Sequence, residues 1–176
     1  MGSEGHNNTV AYLVESIEAL GDYYTVTTQP FIALYANGNA TLTADGVDQS
    51  PEIFEYSPGG DVTASFVAVA NLGCNASDYP VDVDGNIALI SRGTCQFGLK
   101  SALAGAAGAA AAVIYNNVPD PILGGTLGPP PRPEGDYIPT VGIDQSNGTA
   151  ILETINAGGT VTGVLHAESD IRNITT

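Results

Sequence analysis

The chain has no tryptophan, one methionine, two cysteines, two histidines and only four basic residues among 176. Each shortage closes off a class of function. Four Lys and Arg against 19 Asp and Glu leave a formal net charge of −15 at pH 7. Nucleic acids and anionic membrane surfaces are bound through basic patches, so this composition supports neither as a partner. No run approaches the ~18 apolar residues that a membrane-spanning helix requires. A catalytic zinc site takes about three protein ligands and a water. His6 and His166 stand at opposite ends of the chain, outside any His-Glu-x-x-His arrangement; His6 reads as a residue near a helix start and His166 as an exposed strand residue. There is no Gly-x-Ser-x-Gly elbow. No histidine lies near Cys95 in sequence to make it a nucleophile, and the acidic residues are scattered singly through turns. The acidic balance is read as solubility in an acidic or extracellular medium. The length suffices for one domain with its own core.

What is present centres on residues 86–117. Ile87-Ala88-Leu89-Ile90 is a short apolar run between Gly85-Asn86 and Arg92-Gly93, the signature of a buried strand. Gln96 to Ala107 is rich in Ala and Leu, with Lys100 its one charge, and reads as a helix whose small residues let it lie close to a sheet. Gly108 stands where a helix terminates. Ala110 to Tyr115 forms a second apolar strand, closed by Asn116-Asn117. Strand, helix and strand make one βαβ unit with parallel strands.

The residues at this unit carry a resemblance. Arg92-Gly93, Cys95, Phe97, Lys100, the Ala/Gly run around Gly108 and the strand ending in Asn116-Asn117 follow the order found in protease-associated (PA) domains. Asp136-Tyr137-Ile138-Pro139-Thr140-Val141-Gly142-Ile143 is similar to a later strand of that family, and the likeness covers residues 30–168. Gly5-His6-Asn7, Thr9-Val10, Tyr12-Leu13 and Gln29-Pro30-Phe31 are similar to the start of fungal secreted leucine aminopeptidases, zinc exopeptidases in which a PA domain follows the first helix and strand. Two further stretches agree with them: Tyr56–Val62 with Val67–Cys74, and Glu168–Thr176. The metal ligands of those enzymes lie C-terminal to the PA insertion, and no residue here matches them. The resemblance therefore implies no cofactor in this chain, zinc belonging only to a parent catalytic domain.

Along the chain, Val10, Leu13, Val14, Ile17 and Leu20 recur at helical spacing, so Glu4 to Leu20 reads as an amphipathic helix capped by Asn7 or Asn8 and ended by Gly21. Tyr23 to Gln29 alternates like a strand. Phe31 to Leu42 alternates around Asn37-Gly38, a hairpin signal. Residues 43–60 read as loop and Ser65 to Asn71 as a strand. Asp82-Val83-Asp84-Gly85 is a turn rather than half a calcium loop, because no bidentate Glu follows at the needed distance. Gly124-Gly125-x-x-Gly128 is no dinucleotide fingerprint, since prolines and no helix follow it; Pro129–Pro133 reads as a stiff surface loop. Ile138 to Ile143 is a strand. Asp144 caps a helix carrying Ile151, Leu152 and Ile155, which stops at Gly158-Gly159, and Val161 to His166 closes the sheet. Arg92 should meet a carboxylate or carbonyls at its strand end, while Lys100 should lay its stem over the alanine face.

The expected fold is α/β: a bent mixed sheet or open barrel flanked by two helices, with an extra N-terminal helix and strand. Residues 1–29 resemble the start of a peptidase domain, 30–168 form the PA domain and 169–176 a linker. Five glycosylation sequons, at Asn7, Asn39, Asn75, Asn147 and Asn173, together with the PA position of Cys95, imply secretion and a Cys74–Cys95 disulfide; the alternative is two buried thiols. Met1–Gly5 has neither the basic start nor the apolar run of a leader, so secretion would make this a piece of a longer chain. The leading expectation is a non-catalytic PA portion of a secreted zinc-aminopeptidase-like protein. A stand-alone secreted PA binding or assembly module is the alternative, and an enzyme in its own right a third. Expected partners are protein: a peptidase domain, a second copy or a peptide substrate. The Val10–Leu20 stripe is then a contact surface, unless it folds back onto the chain's own core.

Overall fold

Ser3 starts the first helix, α1 (Glu4–Glu18), by accepting a hydrogen bond from the His6 backbone N–H. The expected Asn7 and Asn8 caps are instead inside the helix, because Ser3 supplies the side-chain oxygen one turn earlier. Glu4 in the first turn suits the positive end of the helix dipole. Gly21, at φ +81°, ends it in the left-handed conformation that glycine adopts without strain. The computed structural model describes residues 3–175, so the leader reading at Met1-Gly2 and the last residue of the expected linker, Thr176, lie outside the described residues. Tyr23–Gln29 is not a strand: Tyr23 lies in a turn and the residues after it are irregular. Alternation is only half of a strand, since a ladder partner is the other half.

Two compact units are present, Met1–Tyr35 with Ile171–Thr176, and Ala36–Asp170. The chain passes from the first to the second within β1 (Ile32–Ala44) and back within β8 (Thr162–Thr175). Residues 169–175, expected as a linker, are thus a continuation of β8.

β1 also overturns the expected hairpin. Asn37-Gly38 lies in mid-strand, and the reversal comes later, at Asp45-Gly46, both at positive φ (48° and 80°). That turn leads into the short β2 (Val47–Asp48), paired antiparallel with Thr43 and Ala44. Gly38 serves close approach instead: a side chain there would run into the Glu168 backbone carbonyl on β8. Within the expected loop 43–60 there is a second short strand, β3 (Glu52–Ile53). β4 (Gly60–Ala68) starts earlier than its apolar run suggested. β5 (Ile87–Ser91), α2 (Phe97–Ala106) and β6 (Ala111–Tyr115) form the βαβ unit, with Gln96 at the N-cap position and Gly108 at φ +87° after the helix. β7 (Thr140–Ile143) follows the long loop, and Asp144 caps α3 (Gln145–Asn156) by accepting from Asn147 N–H at 2.7 Å.

Among the described residues the strands run in the order β2-β1-β8-β4-β5-β6-β7-β3. β4, β5, β6 and β7 are parallel neighbours, while β8 and β3 pair antiparallel. The sheet is therefore mixed. Its two ends curl towards one another, so that Ala36–Gly38 of β1 and Glu52–Tyr56 around β3 line one cavity of about 320 Å³. Period-two alternation splits the core: Ala88 and Ile90 of β5 pack with Ala102 and Ala104 of α2 on one face, while Ile87 and Leu89 pack with Ile151 of α3 on the other. α2 and α3 thus flank opposite faces.

Candidate functional site

β5 delivers Arg92 and Gly93 at its C-terminal end, and the first turns of α2 deliver Phe97 and Lys100 beside them. The Arg92 guanidinium donates to the Asn116 side-chain carbonyl at 3.0 Å and lies 5.9 Å from the centre of the Phe97 ring. Its partner is a neutral amide, not a carboxylate. The same Asn116 oxygen accepts from Asn117 N–H at 2.9 Å, and the Asn116 amide donates to the Asp120 carbonyl. Asn116 therefore ties the ends of β5 and β6 to the start of the long loop. Phe97 stacks on Phe54, 4.7 Å between centres and 24° between planes.

Cys74 and Cys95 are joined, with Cα atoms 5.8 Å apart. The bond ties the loop after β4 to the start of α2. Lys100, expected to lay its stem over the alanine face, is buried to its tip, with 0% exposure. Its Nζ donates to the Leu72 carbonyl, to the Ser91 carbonyl at 3.0 Å, and towards Cys74 Sγ at 3.9 Å. Burial pulls its pKa down to about 8, against a smaller upward pull from the Asp78 carboxylate. Asp78 accepts from Asn71 Nδ2 at 2.7 Å and from Asn75 N–H at 2.9 Å, and these hydrogen bonds, that of Asn71 foremost, hold its carboxyl below the usual range. The Tyr79 hydroxyl sits 2.9 Å from the Gly73 carbonyl and 3.0 Å from that of Lys100, with its own pKa driven up by burial. Leu72, Asp78 and Tyr79 were not singled out in the sequence, although the Asn75-to-Asp78 spacing is that of a cap.

The structure brings Arg92, Cys95, Phe97, Lys100 and Asn116 together, and the Asn75 sequon adjoins them through Cys74. Asn7 is exposed on α1, Asn39 exposed in the middle of β1 rather than at a turn, Asn75 exposed beside the disulfide and Asn173 exposed on β8. Asn147 is only half-exposed, and its Nδ2 donates to the Gln49 carbonyl at 3.2 Å. A glycan on that nitrogen would have to displace the contact between α3 and the β2–β3 loop. Material from a eukaryotic secretory host is expected to carry glycan on Asn39 and Asn75 and none on Asn147. Peptide mapping with glycosidase treatment reads this directly, and bare Asn39 and Asn75 would refute a secretory origin.

On α1, Val10, Leu13, Ile17 and Leu20 are all exposed, Leu20 just past the helix end and Val14 partly covered; no residue of this helix is buried. His6 stands in the first turn of α1. His166 is on β8, its Nδ1 bonded to the Asp61 carboxylate across the ladder and its Nε2 3.5 Å from Glu168. Those two carboxylates, Asp61 first, raise its pKa. Among the described residues no three His, Cys, Asp or Glu side chains converge to hold a metal ion, and no helix is long and apolar enough to cross a membrane.

The PA domain family profile matches residues 62–151, just over half of the chain and including every residue from Arg92 to Asn117. The chain is 42% identical over 175 residues to a probable leucine aminopeptidase 2 of Aspergillus fumigatus, across 99% of this chain but 34% of that protein. It spans about a third of the length of the curated fungal relatives it matches. Among solved structures, the aminopeptidase from Aneurinibacillus sp. strain AM-1 superposes with a TM-score of 0.78 at 33% identity, over 99% of this chain and 42% of that one. A zinc aminopeptidase from Bacillus subtilis shares the fold, with a TM-score of 0.65 at 24% identity over 99% and 40%. The curled mixed sheet, the disulfide at the head of α2 and the Arg92–Asn116 tie are the frame on which that profile falls, and the chain belongs to the PA domain family.

Proposed function

We propose that this chain is the non-catalytic PA portion of a secreted zinc-aminopeptidase-like protein, where it mediates contact with the peptidase domain or shapes access of substrate to it. The observation that carries this reading is the mismatch of coverage: nearly all of this chain aligns with about a third of a leucine aminopeptidase, while its described residues assemble no metal-ligand group. The larger unit begins at Ala36 on β1 and ends at Asp170 on β8, and these strands are neighbours in the sheet. A unit whose ends lie on adjacent strands suits insertion into a host chain. Secretion is supported by the Cys74–Cys95 disulfide and by four exposed sequons. Residues 1–29 belong, in this reading, with the peptidase domain, and the α1 stripe is where that domain packs.

Covering an aliphatic side chain such as Leu13 or Ile17 gains roughly 1.5–3 kcal/mol. The isolated chain should therefore self-associate through the uncovered stripe as its concentration rises. Leu13→Asp with Ile17→Asp is expected to give a folded monomer. Light scattering with circular dichroism checks both, and a wild type that stays monomeric while the double variant unfolds would show the stripe to be internal core. With zinc supplied, the isolated chain is expected to release no product from leucine p-nitroanilide; turnover by homogeneous chain would overturn the accessory reading.

A further inference from the structure

We propose that the Cys74–Cys95 bond is a one-sided thiol-exchange site, at which a low-molecular-weight thiolate attacks Cys95 and Cys74 departs as a thiolate held by the Lys100 ammonium. The assignment starts from a buried cation whose one contact other than backbone carbonyls is a disulfide sulfur. Lys100 is wholly buried, and its three contacts, to the Leu72 carbonyl, the Ser91 carbonyl and Cys74 Sγ, match the three N–H donors of an ammonium group. One carboxylate, that of Asp78, acts on it electrostatically, and that group is already engaged by Asn71 and Asn75. The positive charge therefore has Cys74 sulfur as its nearest site for a new negative charge.

The two sulfurs are placed differently. Cys74 follows the buried Gly73 and has the Lys100 ammonium against its sulfur. Both cysteines are half-buried, Cys74 beside exposed Asn75 and Cys95 between exposed Thr94 and Gln96, so the Lys100 contact is what separates the two sulfurs. Thr94, just before Cys95, is held at φ 33°, a left-handed conformation costly for a β-branched residue. In exchange, the sulfur whose thiol is the stronger acid leaves faster, and an adjacent cation strengthens that acid. The step balances simply. The incoming thiolate lone pair forms a bond to Cys95 Sγ, the Cys74–Cys95 bond breaks, and its electron pair leaves on Cys74 beside Lys100. The product is a mixed disulfide on Cys95 next to Phe97, in the motif that the family profile covers.

The test uses the intact oxidised chain and reduced glutathione at pH 7, quenched early with iodoacetamide and mapped by peptide mass. Glutathione on Cys95 with alkylated Cys74 is expected in about tenfold excess over the reverse pair. An equal mixture, or excess of the reverse pair, overturns the proposal. A second measurement does not depend on altering Lys100. The pH dependence of alkylation is compared between Cys95→Ala, which leaves Cys74 free, and Cys74→Ala, which leaves Cys95 free. Cys74 should ionise at least about one unit lower; equal or inverted order overturns the role given to Lys100.

Discussion

Replacing Cys74 and Cys95 together with alanine is expected to cost about 3 kcal/mol of stability, from the chain-entropy relation for a loop of this size. The bond closes a loop with a sequence separation of 21 residues. Within that loop lie Asp78, Tyr79, Val83 and the whole of β5, so the constraint acts on an unfolded chain that must later bring the end of β4 beside the head of α2. For a protein of this size the loss should appear as a melting temperature lower by roughly 6–12 °C. Urea unfolding of the oxidised wild type against the double variant measures it. Coincident midpoints would mean that the buried Lys100 cluster alone holds the two loops together and that the cross-link adds nothing.

Lys100→Met should have an effect of similar size, with a pH signature that the disulfide variant lacks. In the folded chain the Lys100 pKa is lowered to about 8 from the ordinary 10.5, because burial disfavours its charged form. Above pH 8 the folded chain gives up this proton while the unfolded chain keeps it. Stability therefore rises with pH, by at most about 1.4 kcal/mol per unit for this one proton. The useful window ends near pH 10: Tyr79 is buried and neutral in the folded chain, so above the ordinary tyrosine value of 10.0 it favours unfolding. Methionine removes the rising limb between pH 8 and 10. At pH 7 it also leaves the Leu72 and Ser91 carbonyls without their donor, at about 1–3 kcal/mol each. Stability curves of wild type and variant that stay parallel from pH 7 to 10 would show that Lys100 does not titrate in this range.

The parts of the fold legible in the sequence were those whose causes are local. An apolar run, an Ala-rich helix and Gly108 define β5, α2 and β6 within a residue or so, and Asp144 is the cap it resembles. The failures have distant causes. Asn37-Gly38 carries a turn signal, but glycine is needed there because the Glu168 backbone passes against it. The true turn at Asp45-Gly46 carries an equally good signal, and nothing local ranks the two. Lys100 resembles a surface lysine until its partners are known, and Leu72 and Ser91 are 28 and 9 residues away. Its one sequence clue was a single charge on an otherwise apolar helix face. Tyr23–Gln29 alternates correctly but lacks a ladder, which pattern alone cannot reveal. The stripe on α1 was legible as a stripe; its exposure depends on what the rest of the fold leaves uncovered.

The curling of the sheet bears on a hazard common to β-rich chains. A long strand such as β1 is capped by β2 only at Thr43 and Ala44, which would ordinarily leave an inviting template for fibrous growth. Here Ala36–Gly38 share one open cavity with Glu52–Tyr56, so an incoming strand would have to enter between the two margins of the sheet. The opposite margin, β3, is two residues long and has Glu52 exposed at its start. A stacking chain would find little uninterrupted ladder to extend and a carboxylate at one margin. Curvature that brings the two margins of the sheet to one cavity thus also hinders runaway strand-on-strand assembly, which matters most while many newly made copies crowd together.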